Sequence, residues 1–123
     1  ALEPERVAAA PALAGGGELS LAIELPDGYH YTPGAPSKFR VVEAPAGVSV
    51  TPASGDLEEL GGAPVRVRVD AEDGAGGAVT VGASVYFCAD GGACYHREAL
   101  ATAEVAAGGA ASAGATYAPR AGR

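Results

Sequence analysis

From Val79 to Phe87 the chain alternates without a break. Val79, Val81, Ala83, Val85 and Phe87 form one set, and Thr80, Gly82, Ser84 and Tyr86 the other. A repeat of two places the sets on opposite faces of a pleated strand and is out of phase with a helix. The strand then runs into Cys88, and a second cysteine, Cys94, follows the segment Ala89-Asp90-Gly91-Gly92-Ala93. Fully extended, the path between the two would cover about 20 Å. A disulfide needs its Cα atoms only about 5.5 Å apart. Bridging therefore requires the chain to double back, and Gly91-Gly92 offers the backbone freedom for a tight turn. The reading is strand, turn, strand, with a sulfur at each foot. Closing so short a loop stabilises a fold by only about 2 to 2.5 kcal/mol in the chain-entropy view, so the placement suits chemistry at least as well as support.

The same period recurs elsewhere. Leu19, Leu21, Ile23 and Leu25 alternate with polar or small residues until Pro26-Asp27-Gly28. Phe39 to Val42, the pair Val48 and Val50, and Val65, Val67 and Val69 mark three more strands, and a last one runs from about Tyr95 to Val105. Turn-rich stretches separate them, and no segment carries an amphipathic helix. Several short strands with Gly/Pro turns predict an all-β, antiparallel β-sandwich. Leu21, Ile23, Val67, Val81 and Val85 are its expected core. Residues 1–17, ending in Gly15-Gly16-Gly17, read as a linker or N-terminal arm, residues 18–107 as the domain, and residues 108–123 as a flexible tail.

At 123 residues the chain holds one domain with one core. Its net charge of −7 argues against nucleic acid as a partner. No apolar run reaches membrane-spanning length, and the first residues lack a signal-peptide pattern. A start at Ala1 fits a processed chain or an excised domain. No Ser/His/Asp arrangement is legible, and the glycine-rich turns do not join a strand to a helix, so hydrolysis, phosphate binding and a cofactor are not expected.

Strand parity puts Cys88 with Thr80, Ser84 and Tyr86, opposite the core face, unless a bulge intervenes. An antibody-type disulfide, by contrast, crosses the core between cysteines far apart in sequence. Cys88 and Cys94 are therefore either an exchanging pair within reach of a partner or a hairpin staple. With His96 and Asp90 they also make an incomplete soft-metal set, too sparse to predict a metal. His96 shares the strand face of Cys94, where an imidazolium would favour a thiolate; Asp90 would oppose one. Tyr29, Tyr31, Tyr86 and Tyr95 are either a docking surface or half-buried sheet residues.

The run Cys88-Ala89-Asp90-Gly91-Gly92-Ala93-Cys94-Tyr95 resembles the C-A-D-x-G-x-C-Y signature of the DsbD N-terminal domain, an immunoglobulin-like module with a redox-active cysteine pair. Ile23 to Tyr31, containing Asp27-Gly28-Tyr29, is similar to the strand and turn of that family, and Ala63 to Val85 to its two strands before the cysteines. The likeness spans about residues 18–106. The stretch Leu25 to His30, followed by Ala35-Pro36-Ser37, looks closer to related domains at the C-terminal end of proteins that join a thioredoxin-like domain to an NHL-repeat propeller. The resemblance implies thiol–disulfide interchange with a thioredoxin-like partner, in which Cys94 forms the mixed disulfide and Cys88 resolves it. It also implies an alternative, a non-catalytic accessory domain whose disulfide is structural. The first relative implies an extracytoplasmic location, the second a cytoplasmic one. The family shields its disulfide with an aromatic cap loop, whereas Thr51 to Ala63 contains no aromatic residue, only Leu57 and Leu60 among the acids Asp56, Glu58 and Glu59. The sulfurs are accordingly expected to be more open to solvent than in that family.

Overall fold

The alternating run becomes the longest strand of the molecule. In the computed structural model, which describes residues 3–122, β8 spans Gly77–Ala89 and buries every odd side chain from Val79 to Phe87. It pairs antiparallel with β9, Cys94–Val105, over their whole length and without a register shift. The first seven strands are β1 (Glu5–Ala8), β2 (Leu13–Ile23), β3 (Tyr29–Tyr31), β4 (Lys38–Glu43), β5 (Val48–Thr51), β6 (Ser54–Asp56) and β7 (Val65–Ala71), and β10 (Ala110–Tyr117) closes the chain. A single 3-10 turn, Glu58–Leu60, is the only helical element among the described residues. No helix there is long and apolar enough to cross a membrane.

All ten strands join in one sheet, in the order β5-β7-β2-β9-β8-β4-β6, with β1 added to β9, β10 to β2 and β3 to β8. The sheet has a narrow waist. β2 meets β9 only at Leu13 opposite Val105, whereas it pairs with β7 from Gly17 to Leu21. The strands on either side of that waist turn their apolar faces toward one another, curling the sheet nearly into a barrel. Leu19, Leu21, Val65, Val67 and Val69 from one side and Val81, Val85, Phe87, Ala101 and Ala103 from the other share a single core.

Of the expected core, Leu21, Val67, Val81 and Val85 are buried, but Ile23 is only partly so. It lies at the end of β2, where β10 alone continues beside it as Tyr117. The pairing is also not wholly antiparallel. β1 with β9, β10 with β2, and the β2–β9 junction are parallel, because both chain ends return alongside central strands.

The segments read as a linker and a flexible tail contain strands, β1 and the start of β2 in the first and β10 in the second. Within β2, Gly15 and Gly17 serve close approach rather than flexibility. A Cβ at Gly17 would stand 2.7 Å from Leu13 Cδ1 and 2.9 Å from the carbonyl oxygens of Ala14 and Ala111. Glycine is the residue that lets backbones come this near. At the other end, Tyr117 is fully buried, and Arg97 holds the segment beyond it by donating to the carbonyls of Arg120 and Gly122. Ala1, Leu2 and Arg123, which belong to the same two expectations, lie outside the described residues.

Candidate functional site

The two cysteines meet at the turn end of the β8–β9 hairpin. The Ala89 N–H donates to the Ala93 carbonyl at 2.9 Å, which makes the next pair down the ladder, Cys88 and Cys94, a non-hydrogen-bonded one. Side chains at such positions are the closest across an antiparallel ladder. The sulfurs are bonded, with the Cα atoms 4.0 Å apart. The turn closes through the Gly92 N–H on the Ala89 carbonyl, and Gly91 sits at φ 66, a left-handed conformation that suits glycine.

The unbroken ladder keeps Cys88 on the face opposite the core, with Ser84 and Tyr86. It is nevertheless buried, at 7% exposure, while Cys94 is exposed. The expected openness to solvent thus falls unequally on the two sulfurs. β3 lies along the β8 edge, with His30 opposite Cys88 and Tyr31 opposite Phe87. One residue further on, the Thr32 N–H donates to the Tyr86 carbonyl, and the Thr32 hydroxyl lies 3.0 Å from Cys88 Sγ. The buried Ser37 completes this edge between β3 and β4. Its Oγ accepts from the Tyr86 N–H at 2.9 Å and donates to the Tyr86 carbonyl at 3.4 Å.

His96 does share the face of Cys94, as parity requires. Its ring, however, is stacked on Tyr86, with centroids 4.1 Å apart and planes within 9°, and Nε2 shares a 2.7 Å hydrogen bond with Ser84 Oγ. Asp90 is engaged by a residue the sequence did not single out, His30, whose Nδ1 lies 2.9 Å from Asp90 Oδ1. Both side chains are well exposed, so the pair is worth little to stability; its effect is to hold the carboxylate over the turn. The Asp90 N–H also donates to the Gly28 carbonyl, and Tyr29 closes the Gly28 turn on the Pro26 carbonyl. The Asp27-Gly28-Tyr29-His30 stretch and the cysteine turn, about sixty residues apart in the chain, are therefore neighbours in space.

The tyrosines do not form one surface. Tyr29 and Tyr95 pack with Phe87, at centroid distances of 5.7 Å for each with Phe87 and 6.2 Å for each other. The Arg97 guanidinium lies 5.1 Å over the Tyr95 ring. Tyr86 is on the other face, beneath His96. Burial holds the Tyr31 phenol above its ordinary range. In the stretch from Thr51 to Ala63, Leu57 is turned into the core and the Asp56 carboxylate accepts from the N–H groups of Glu58 and Glu59. The Leu57 N–H anchors this loop on the carbonyl of Ser37, the residue just ahead of β4.

Thr32, His30 and Ser37 were not legible as site residues. Thr32 lies in a Pro/Gly-rich stretch whose pairing with β8 is long-range, and the resemblance over Leu25 to His30 and Ala35-Pro36-Ser37 flanks it without giving any of the three a role.

No protein-family model matches the chain. A stretch of 82 residues, 66% of the chain, is 33% identical to the protein Suppressor of quenching 1, chloroplastic, of Arabidopsis thaliana. The matched stretch is 8% of that protein's length.

Proposed function

We propose that this chain is a thiol–disulfide interchange module, similar to the DsbD N-terminal domain, that exchanges electrons with a thioredoxin-like partner through Cys88 and Cys94. The observation that carries this reading is the asymmetry of the bridge. One sulfur, Cys94, is exposed at a hairpin tip, while the other, Cys88, is buried beside a hydroxyl. An incoming thiolate can reach only the exposed sulfur readily, and the buried one is then the leaving group. A staple needs no such difference. Two groups of strands facing each other across one core support an immunoglobulin-like sandwich as the fold. The partial likeness to a much longer chloroplast protein supports a module within a larger polypeptide.

Trapping tests the reading. Incubated with a thioredoxin that lacks its resolving cysteine and carries the other as a mixed disulfide with thionitrobenzoate, reduced Cys88→Ser should displace thionitrobenzoate and accumulate a mixed disulfide through Cys94, and Cys94→Ser much less. Equal trapping would make the assigned roles wrong. If neither variant traps, the disulfide is a structural staple and the chain is an accessory domain.

A further inference from the structure

Cys88 in the disulfide carries no proton, so in its 3.0 Å contact with Thr32 the hydroxyl must be the donor. That contact lies at a buried sulfur, where water offers little alternative solvation. A hydrogen bond that is weak to a neutral disulfide sulfur becomes charge-assisted once the sulfur is a thiolate. An interaction that strengthens as charge develops lowers the barrier rather than merely the ground state. We propose that Thr32 is a catalytic residue of the exchange, its hydroxyl stabilising the Cys88 thiolate as Cys94 is attacked.

The inference rests on the interchange reading, and the step is as follows. A thiolate of a dithiol partner attacks Cys94 Sγ. A sulfur–sulfur bond forms between them as the Cys88–Cys94 bond breaks, and the electron pair leaves on Cys88 Sγ, facing the Thr32 O–H. The partner's second thiolate then displaces Cys94. The partner ends as a disulfide, this chain as a dithiol, and two electrons have passed. Run backwards, the same hydroxyl holds Cys88 as the resolving nucleophile. Thr32 is placed for this by its own N–H on the Tyr86 carbonyl, which continues the β3–β8 ladder by one residue.

Two measurements need no thioredoxin, so their failure is separable from failure of the trap. In a Cys94→Ala background, thiolate absorbance of Cys88 is followed against pH with Thr32, Thr32→Val and Thr32→Ser. The titratable groups near Cys88, His30, Asp90, Tyr86 and His96, and the charged Lys38 and Glu98 further along the same face, are common to all three. Loss of the hydroxyl should move the midpoint upward and cut the thiolate fraction at neutral pH about five- to tenfold, and serine should restore it. With both cysteines present, reduction by dithiothreitol should slow by a similar factor in Thr32→Val and recover in Thr32→Ser. Thr32→Ala, which cannot crowd the edge strand, is the second donorless variant, and circular dichroism checks that each remains folded. Superimposable pH profiles, or a serine variant that behaves like valine, would overturn the proposal.

Discussion

His96 illustrates how a residue's neighbours decide what its chemistry is used for. Its imidazole shares a strand face with Cys94, but the ring is committed to Tyr86 and Ser84. Stacked aromatic pairs and single hydrogen bonds each contribute about 1 kcal/mol, less where exposed. His96→Ala should therefore lower the unfolding free energy by about 1 kcal/mol in urea denaturation. Its effect on the rate of reduction by dithiothreitol should be smaller than that of Thr32→Val, because the hydroxyl touches the leaving sulfur and the imidazole is directed at Ser84. A larger effect at His96 would make it the principal thiolate modulator. Asp90 is similarly bound up with His30, a pairing that only the approach of β3 to the turn creates.

Among the elements, β2 departs most from a reading by composition. Gly15-Gly16-Gly17 has the look of a flexible spacer, yet β7 lies on one side of the strand and β10 on the other. The missing side chain at Gly17 is what admits the Leu13 side chain and the Ala111 carbonyl. Gly17→Ala should destabilise the fold by about 1 to 3 kcal/mol, the range for overpacking a close contact. A spacer glycine would tolerate the change or gain from it, so an unchanged urea midpoint would show that the run is not packed. β8 is the opposite case. Its period, its burial and the reversal after Cys88 were all legible, because each depends on residues adjacent in the chain.

Over the whole molecule, the first and last strands, β1 and β10, are bound into the sheet, and Tyr117 reports on that. Burial holds the Tyr31 and Tyr117 phenols above their ordinary range, and the Glu5 carboxylate, from the other end of the chain, adds to the effect at Tyr117. Below about pH 10, both folded and unfolded chains keep these protons. As pH rises further, the unfolded chain releases them first and binds fewer protons than the folded one, so the unfolding free energy falls with pH. The urea midpoint should drop as the pH rises above about 10, and Tyr117→Phe should flatten that drop. An unchanged slope in the phenylalanine variant would mean that the C-terminal strand is not docked in solution.

The sequence by itself determined the all-β class, the strands from Leu19 to Val105 that alternate in period two, and the cysteine hairpin with Cys88 off the core face. Each of these follows from residues within a few positions of one another, where pleat and turn chemistry act directly. Tertiary structure alone decided the rest. The parallel docking of β1 and β10, the burial of Cys88 and its contact with Thr32, and the pairing of His30 with Asp90 all join segments far apart in the chain. Short, alanine- and glycine-rich strands such as β10 have no local periodic signal. They become strands because a partner edge and a shared core satisfy their backbone groups and bury their few large side chains.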